Sequence, residues 1–212
     1  MRKIAPGFVA RYEAEVEGKI TDPVPQDTIG ARDIGFHRSQ HANCSDILWQ
    51  NGQRNPEKTA LIGPFGQLSY ADLIAMASQW GHAFAAAGVK RAERIVFFLD
   101  DTPTFAAAFY GAVRAGFVPV LLNTQTTPDT LAYFIADTSA RLAVCVASFQ
   151  HLFADAGLET VVVANGSPDI PHAVATDDFI GARPQTRNGA DTGSDDMAFW
   201  RYSSGSTGRP KV

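Results

Sequence analysis

From about residue 43 onward, apolar residues follow two repeating patterns. In the first they recur every three or four positions, as Leu73, Ala77, Trp80 and Phe84 do, and this period predicts an amphipathic helix. In the second they form short uninterrupted runs such as 95–99, which are typical of strands covered on both faces of a parallel sheet. The two patterns alternate along the chain, as they do in right-handed βαβ units. We therefore predict an α/β fold, a mostly parallel sheet with helices on both faces.

The individual elements follow from these patterns and from the residues that start and stop them. Helices are predicted around 47–49, where Ser45 or Asn43 can cap the start, and over 69–88, 102–116, 127–135 and 149–156. A hairpin is predicted over 58–62 and 68–70, and strands over 95–99, 118–122, 142–146, 160–163 and 197–200. A stretch rich in Gly, Asp and Thr, 177–196, predicts a surface loop.

The first part of the chain differs from the rest. Residues 1–42 mix charges, prolines and glycines without a sustained period, which is typical of an extended segment. We therefore predict two regions, an N-terminal arm over 1–42 and an α/β region over 43–212.

Composition and charge narrow the class of protein. With 45% hydrophobic and 19% charged residues, the chain has the composition of a soluble globular protein. Its net charge of −4 favours neither nucleic acid nor an anionic membrane as a partner. Two cysteines, Cys44 and Cys145, cannot form a disulfide framework, and neither a signal peptide nor an apolar run of about 18 residues is present. We expect a reducing, cytoplasmic setting.

No metal site is predicted from protein residues. The histidines lack the spacing of metal-binding motifs. Asp100 and Asp101 resemble a pair of metal-binding carboxylates, but neighbouring residues of an extended chain point to opposite sides. We expect these two aspartates, together with Thr102 and Pro103, to cap a helix instead.

The last segment carries the clearest chemistry. It follows the apolar run 197–200 and reads Tyr-Ser-Ser-Gly-Ser-Thr-Gly-Arg-Pro-Lys from Tyr202 to Lys211. Its hydroxyls, amides and cations can donate to anionic oxygens, and its glycines let a ligand approach the backbone. A Ser/Gly-rich end is often a flexible tail, but a tail has no reason to follow an aromatic strand or to carry a proline between two cations. Because neither common phosphate-loop motif occurs in the chain, we predict a third kind of phosphate-binding loop.

This segment resembles the signature loop of the adenylate-forming superfamily, which includes acyl- and aryl-CoA synthetases, luciferases and the adenylation domains of peptide synthetases. The stretches 68–73, 87–89, 94–96 and 114–123 are similar to the same family in the same order. Residues 199–202 look closest to benzoate and 4-hydroxybenzoate CoA ligases. The chain departs from the family at Thr124-Gln125, where a proline usually occurs, and at Val212, where a glycine follows the lysine.

The resemblance implies a two-step reaction that uses ATP, Mg²⁺ and coenzyme A. A small-molecule carboxylic acid first forms an acyl-adenylate and pyrophosphate, and the thiol of coenzyme A then displaces AMP. The implied ATP- and pyrophosphate-binding residues are Ser203, Ser204, Gly205, Ser206, Thr207, Gly208 and Lys211. Arg209 matches a variable position of the family.

The resemblance also implies that this chain is the N-terminal part of such an enzyme. The residues that hold adenine, ribose and the acid are expected after Val212, so we expect the fragment to be inactive alone and to self-associate. Two alternatives remain open. One is a stand-alone, non-catalytic α/β module that binds an anion or regulates, and the other is part of an adenylation domain that loads a carrier protein.

Overall fold

Helices and strands alternate through the residues that the computed structural model describes, 42–64 and 66–202. Helix α1 (Asp46–Arg54) is followed by the hairpin strands β1 (Thr59–Gly63) and β2 (Gly66–Ser69), and then by α2 (Tyr70–Ala86), β3 (Arg94–Phe98), α3 (Pro103–Arg114), β4 (Val118–Leu121), α4 (Pro128–Thr138) and β5 (Leu142–Val146). A 3₁₀ helix (Ala147–Phe153) leads to β6 (Thr160–Ala164), β7 (Ala173–Ala175), α5 (Thr176–Ile180) and β8 (Trp200–Arg201).

Six strands form one sheet in the order β7-β6-β5-β3-β4-β8, and every neighbouring pair is parallel. The chain passes from β3 to β4 on one side and then crosses back to place β5 on the other side of β3. Right-handed connections that run in opposite directions lie on opposite faces of a sheet, so α3 and α4 cover opposite faces. The predicted α/β fold with a mostly parallel sheet is confirmed.

Each strand supplies alternate residues to two apolar layers. On one face Ile95 and Phe97 pack with α2 and α3 around Trp80. On the other face Val96 and Phe98 pack with α4 and the 3₁₀ helix. All of these side chains are buried, so the uninterrupted apolar run of β3 reflects a strand that is covered on both faces.

Two helices start at the residues that the sequence indicates. The Ser69 hydroxyl accepts a hydrogen bond from the Asp72 amide, while the Asp72 carboxylate accepts one from the Ser69 amide, which is a complete capping box at α2. At α3 the Thr102 hydroxyl accepts from the Phe105 amide, and Pro103 occupies the first turn.

The start of α1 is built differently from a simple cap. Ser45 occupies the N-cap position, but its hydroxyl makes no capping hydrogen bond to the helix. Instead, the Ser45 amide and hydroxyl both donate to Oδ1 of Asn43. The Asn43 side-chain amide donates to the carbonyl of Val113, 3.0 Å away, so this buried asparagine ties α1 to the end of α3.

The structure corrects the prediction in three places. The helix predicted over 149–156 is a 3₁₀ helix that begins and ends earlier. The predicted loop 177–196 begins inside α5, which follows an unpredicted strand, β7. The strand predicted over 197–200 is reduced to Trp200–Arg201. With three, five and two residues, β7, α5 and β8 are too short for a hydrophobic period to develop.

The segment between α5 and β8, residues 181–199, includes the rest of the predicted loop, lies across α2 and α3 and is held along its length. The His82 ring contacts the carbonyl of Thr186 at 2.9 Å, and the Ala190 amide donates to the carbonyl of Arg114 at 2.8 Å. Further along, the Thr192 hydroxyl donates to the carbonyl of Ala42 at 2.8 Å. Within the described residues, no helix combines the length and the hydropathy that spanning a membrane requires.

Candidate functional site

An open cleft of about 800 Å³ lies at the carboxyl ends of β3, β4 and β8. In open parallel sheets ligands bind at this edge, near the point where the order of the strands reverses. The N-terminal ends of α3 and α4 form its walls. The cleft is lined by the apolar residues Leu99, Phe105, Leu121, Leu122 and Phe134 and the polar residues Asp100, Asp101, Asn123, Thr124, Thr126, Thr127, Thr130, Arg201 and Tyr202.

The carboxylates at the end of β3 take a role that was not predicted. Thr102 alone supplies the side-chain cap of α3. Asp100 instead accepts a hydrogen bond from the Thr124 hydroxyl at 3.2 Å, which joins the segments that follow β3 and β4. Asp101 is exposed beside it. The expectation that both carboxylates cap the helix is therefore wrong, because Thr102 occupies the N-cap position and its hydroxyl accepts from the Phe105 amide.

The start of α4 presents hydroxyl groups to the cleft. Thr127 occupies the N-cap position, but its side chain binds the Thr130 hydroxyl at 2.9 Å rather than a backbone amide of the helix. The first amides of α4 therefore have no side-chain cap from Thr127, and the helix dipole is positive at this end. Arg201 is the one cation among the described residues that line the cleft. This wall suits an anionic ligand.

Tyr202, immediately after β8, also lines the cleft and packs against α4. Its ring stacks on Phe134 of α4 with centroids 3.9 Å apart and an angle of 21° between the planes. Its hydroxyl donates to Oδ2 of Asp137 at 2.6 Å. Burial first, and then the hydrogen bond to Asp137, raise the pKa of Tyr202 above its ordinary value. The hydroxyl therefore stays protonated and remains a donor at neutral pH.

The predicted loop residues lie outside the described residues. These are Ser203, Ser204, Gly205, Ser206, Thr207, Gly208 and Lys211. The residue before them, Tyr202, lines the cleft.

Several cleft residues were not singled out from the sequence. Asn123, Thr126 and Thr130 are examples, and they belong to a cluster of amide and hydroxyl side chains directly after the strand predicted over 118–122. The position of this cluster at a carboxyl end of a parallel strand is the signal that would have indicated them. Among the described residues, no three His, Cys, Asp or Glu side chains are grouped so that they could hold a metal ion.

Comparison with known proteins identifies the family to which this chain belongs. The AMP-binding enzyme family matches residues 48–212. The chain is 38% identical over 160 residues to a 3-hydroxybenzoate–CoA ligase of Aromatoleum sp. (strain CIB), covering 74% of this chain and 30% of that protein. It is 35% identical over 161 residues to a 3-hydroxybenzoate–CoA/4-hydroxybenzoate–CoA ligase of Thauera aromatica, covering 74% of this chain and 31% of that protein.

A solved structure agrees with these sequence relatives. The crystal structure of the anthranilate CoA ligase AuaEII with anthranoyl-AMP superposes with a TM-score of 0.77 at 29% identity, covering 81% of this chain and 34% of that one. The chain belongs to the AMP-binding enzyme family. The resemblance to benzoate and hydroxybenzoate CoA ligases is confirmed. The chain spans about 30% of the length of these curated relatives.

Proposed function

We propose that this chain is the N-terminal part of an ATP-dependent carboxylic acid–CoA ligase that acts on an aromatic acid. The observation that carries the proposal is the cleft at the carboxyl edge of the sheet, whose wall residue Tyr202 leads directly into the Ser/Gly-rich segment. The names of the relatives, which are hydroxybenzoate– and benzoate–CoA ligases, support an aromatic substrate.

In the reaction that we propose, a carboxylate oxygen of the acid attacks the α-phosphorus of ATP, and the bond to pyrophosphate breaks. Negative charge then develops on the leaving pyrophosphate. Donors that are already oriented toward that charge lower the barrier, because they need no reorganisation during the step. Ser203, Ser204, Ser206 and Thr207 would supply hydroxyl donors and Lys211 a positive charge. In the second step the thiol of coenzyme A attacks the acyl carbon and AMP leaves.

The described part of the cleft fits a nucleotide and its metal ion. Its volume of about 800 Å³ is in the range of small-molecule sites, which is roughly 300–1,000 Å³. The start of α4 and Arg201 suit the phosphate groups. Mg²⁺ is usually held by phosphate oxygens with only one or two carboxylates, so it needs no cluster of protein ligands. When bound, Mg²⁺ would supply further positive charge to the phosphates, and Asp100 and Asp101 are the carboxylates lining the cleft that would hold it.

The proposal assigns an arm to residues 1–42 and the front of the large N-terminal domain to residues 43–212. In this proposal the groups that position the acid and the α-phosphate follow residue 212, so the 212-residue chain alone should lack activity. Both free cysteines of the described residues, exposed Cys44 and buried Cys145, suit a reducing cytoplasm.

The first test is ATP–pyrophosphate exchange by the full-length gene product, with benzoate, 3-hydroxybenzoate and 4-hydroxybenzoate as acids. Acid-dependent exchange is expected from the full-length protein and none from residues 1–212 alone. Exchange by the short chain would contradict the fragment assignment. A gene that ends after Val212 would instead favour a stand-alone module. AMP release that depends on coenzyme A distinguishes a CoA ligase from a domain that loads a carrier protein.

The second test changes the predicted loop in the full-length protein. Thr207→Ala should lower the rate of acyl-adenylate formation by roughly ten- to a thousandfold, because the loss of one oriented donor costs up to about a thousandfold. Lys211→Ala should lower both ATP affinity and rate, because a flexible point charge meets phosphate charge in the ground state and in the transition state. Thr207→Ser keeps the hydroxyl and should lose less. Arg209→Ala removes a cation from a variable position and serves as the matched control.

Single-turnover formation of the adenylate is the measurement for each variant. If Thr207→Ala and Lys211→Ala react like the wild type at all ATP concentrations, this segment does not bind the phosphates of ATP.

Self-association of the fragment is a further part of the proposal. Ile62, Met197 and Phe199 are large apolar side chains with 75%, 54% and 45% of their surface exposed. Phe199 also contacts Phe109 of α3 at 5.9 Å, so aromatic surface continues from the loop onto the helix. Exposed apolar surface of this kind favours association. Sedimentation of residues 1–212 as a monomer at all concentrations would contradict it.

A further inference from the structure

Two contacts of different kinds hold Tyr202 against α4. The stacking contact with Phe134 fixes the plane of the tyrosine ring, and the hydrogen bond to Asp137 fixes its direction within that plane. Phe134 and Asp137 are three positions apart on α4, so they project from the same side of the helix. Phe134 is itself buried in the apolar layer under α4, which makes it a rigid support. The side chain of Tyr202 is therefore fixed in position and in rotation.

The strand that carries Tyr202 is weakly fixed without these contacts. β8 pairs with β4 at only two positions, Val120 with Trp200 and Leu121 with Arg201. The indole N–H of Trp200 is buried but has no hydrogen-bond partner among the described residues. A strand with so few ladder contacts cannot by itself define the direction in which the chain leaves the sheet. The contacts with α4 supply that definition.

We infer that Tyr202 is a positioning residue for adenylate formation, an inference that rests on the proposed function. Its contacts with α4 fix the point and the direction from which the chain leaves the sheet toward Ser203. Tyr202 also lines the cleft, so a side chain fixed in this way keeps the cleft wall in one shape, against which the reacting groups are positioned.

The protonation state of the phenol suits this role. Burial, and then the hydrogen bond to Asp137, raise the pKa of Tyr202, so the hydroxyl stays protonated and remains a donor at neutral pH. Tyr202 does not have to touch ATP for this role, and a misplacement of about 1 Å at the reacting groups is enough to lower a rate about a hundredfold.

The test uses the full-length protein and compares Tyr202→Phe, Asp137→Ala and the double variant. Tyr202→Phe keeps the stacked ring and removes only the hydrogen bond. Each single variant should lower kcat for adenylate formation about tenfold, while KM for the acid stays within about twofold of the wild type. The double variant should be no slower than either single variant, because both remove the same contact. Asp137→Asn keeps an acceptor oxygen and should lose less than Asp137→Ala.

Tyr110→Phe is the matched control, because it removes a phenol from a partly buried tyrosine on the opposite face of the sheet. Hydrogen exchange of the β8 amides gives a readout without activity, and exchange should be faster in Tyr202→Phe and Asp137→Ala than in the control.

The outcomes separate this inference from the proposed function. A wild type without acid-dependent exchange overturns the proposed function and this inference with it. An active wild type whose Tyr202→Phe and Asp137→Ala variants keep kcat within twofold overturns the inference alone. Additive losses in the double variant, or losses that Tyr110→Phe shares, also overturn it, because the two side chains would then act independently or through general stability.

Discussion

We expect the substitution Gly111→Ala in α3 to cause a large loss of stability, although it adds only one methyl group. A Cβ atom there would lie 2.8 Å from Cβ of Trp80, 2.9 Å from the amide nitrogen of Gly81, and closer still to the carbonyl oxygen of Ala77. Two of these three neighbours are backbone atoms of α2, which cannot rotate away. Gly111→Ala must therefore push α3 away from α2.

The expected change in the free energy of unfolding is the difference between two opposing effects. Alanine gains about 1 kcal/mol over glycine from its helix propensity. Overpacking of a tight interior costs typically 1–3 kcal/mol, and contact with backbone on several sides favours the upper end. The expected net loss is about 2 kcal/mol. With a urea m-value of about 2 kcal/mol per M, the unfolding midpoint should fall by about 1 M.

Gly52→Ala in α1 is the matched control. The new Cβ would collide there only with Cδ1 of Ile74, the end of a flexible side chain that lines an open groove of about 870 Å³. The side chain can turn into the groove, so the helix propensity gain should dominate and the midpoint should stay the same or rise. Urea denaturation followed by far-UV circular dichroism measures both variants. A Gly111→Ala midpoint at or above that of the wild type would refute the argument that backbone contact, rather than propensity, decides stability here.

Two further predictions concern groups with shifted pKa values. Burial raises the pKa of the Cys145 thiol to about 12, so iodoacetamide at neutral pH should modify exposed Cys44 in the native chain and both thiols in urea, as mass spectrometry can count; two adducts on the native chain would contradict this. Hydrogen bonds from the Ser69 hydroxyl and then from its amide lower the pKa of Asp72 in the folded state, so their stabilisation is present above the unfolded-state pKa of about 3.9 and is lost as the pH falls through the folded-state pKa. Ser69→Ala should therefore lower the urea midpoint at pH 7 more than at low pH, and an equal loss at both pH values would count against the capping box.

The sequence predicts the central strands well because their apolar runs have a single physical explanation. Five consecutive apolar residues such as 95–99 can be buried only if both faces of a strand are covered, and the structure covers both. The helices over 70–86 and 103–114 can be predicted equally well, since each combines an N-cap residue with an apolar stripe. In each case the residues of the segment itself indicate whether it forms a strand or a helix.

The short elements depend on tertiary contacts and could not be predicted in the same way. β7 has three partly buried residues, and it is a strand because β6 offers an open edge beside it. The 181–199 segment has a loop composition, yet its Ala190 amide donates to the carbonyl of Arg114 and its Thr192 hydroxyl accepts from the side-chain amide of Asn43, and both partners are distant in sequence. No local pattern contains that information.

The same distinction applies to the candidate site, because one part of it could be predicted from the sequence and the other could not. The Ser/Gly-rich segment could be singled out from the sequence because its chemistry is contiguous. The cleft beside it could not, since it combines the ends of three strands with the starts of two helices. Tyr202 was read as the first residue of a motif, and its contacts with Phe134 and Asp137 depend on how α4 crosses the sheet.

The tie between the start and the end of the described chain affects how the protein can be made. Asn43 and Ala42 form their hydrogen bonds with Thr192, 149 and 150 positions later in the sequence. On a ribosome these bonds cannot form until about 190 residues have been synthesised and have left the exit tunnel. Contacts this distant in sequence also slow folding, because a long loop must close before they contribute. The nascent chain therefore lacks the 181–199 segment over α2 and α3 while β3 to β6 assemble, and apolar side chains that are exposed at that stage are a natural binding site for chaperones.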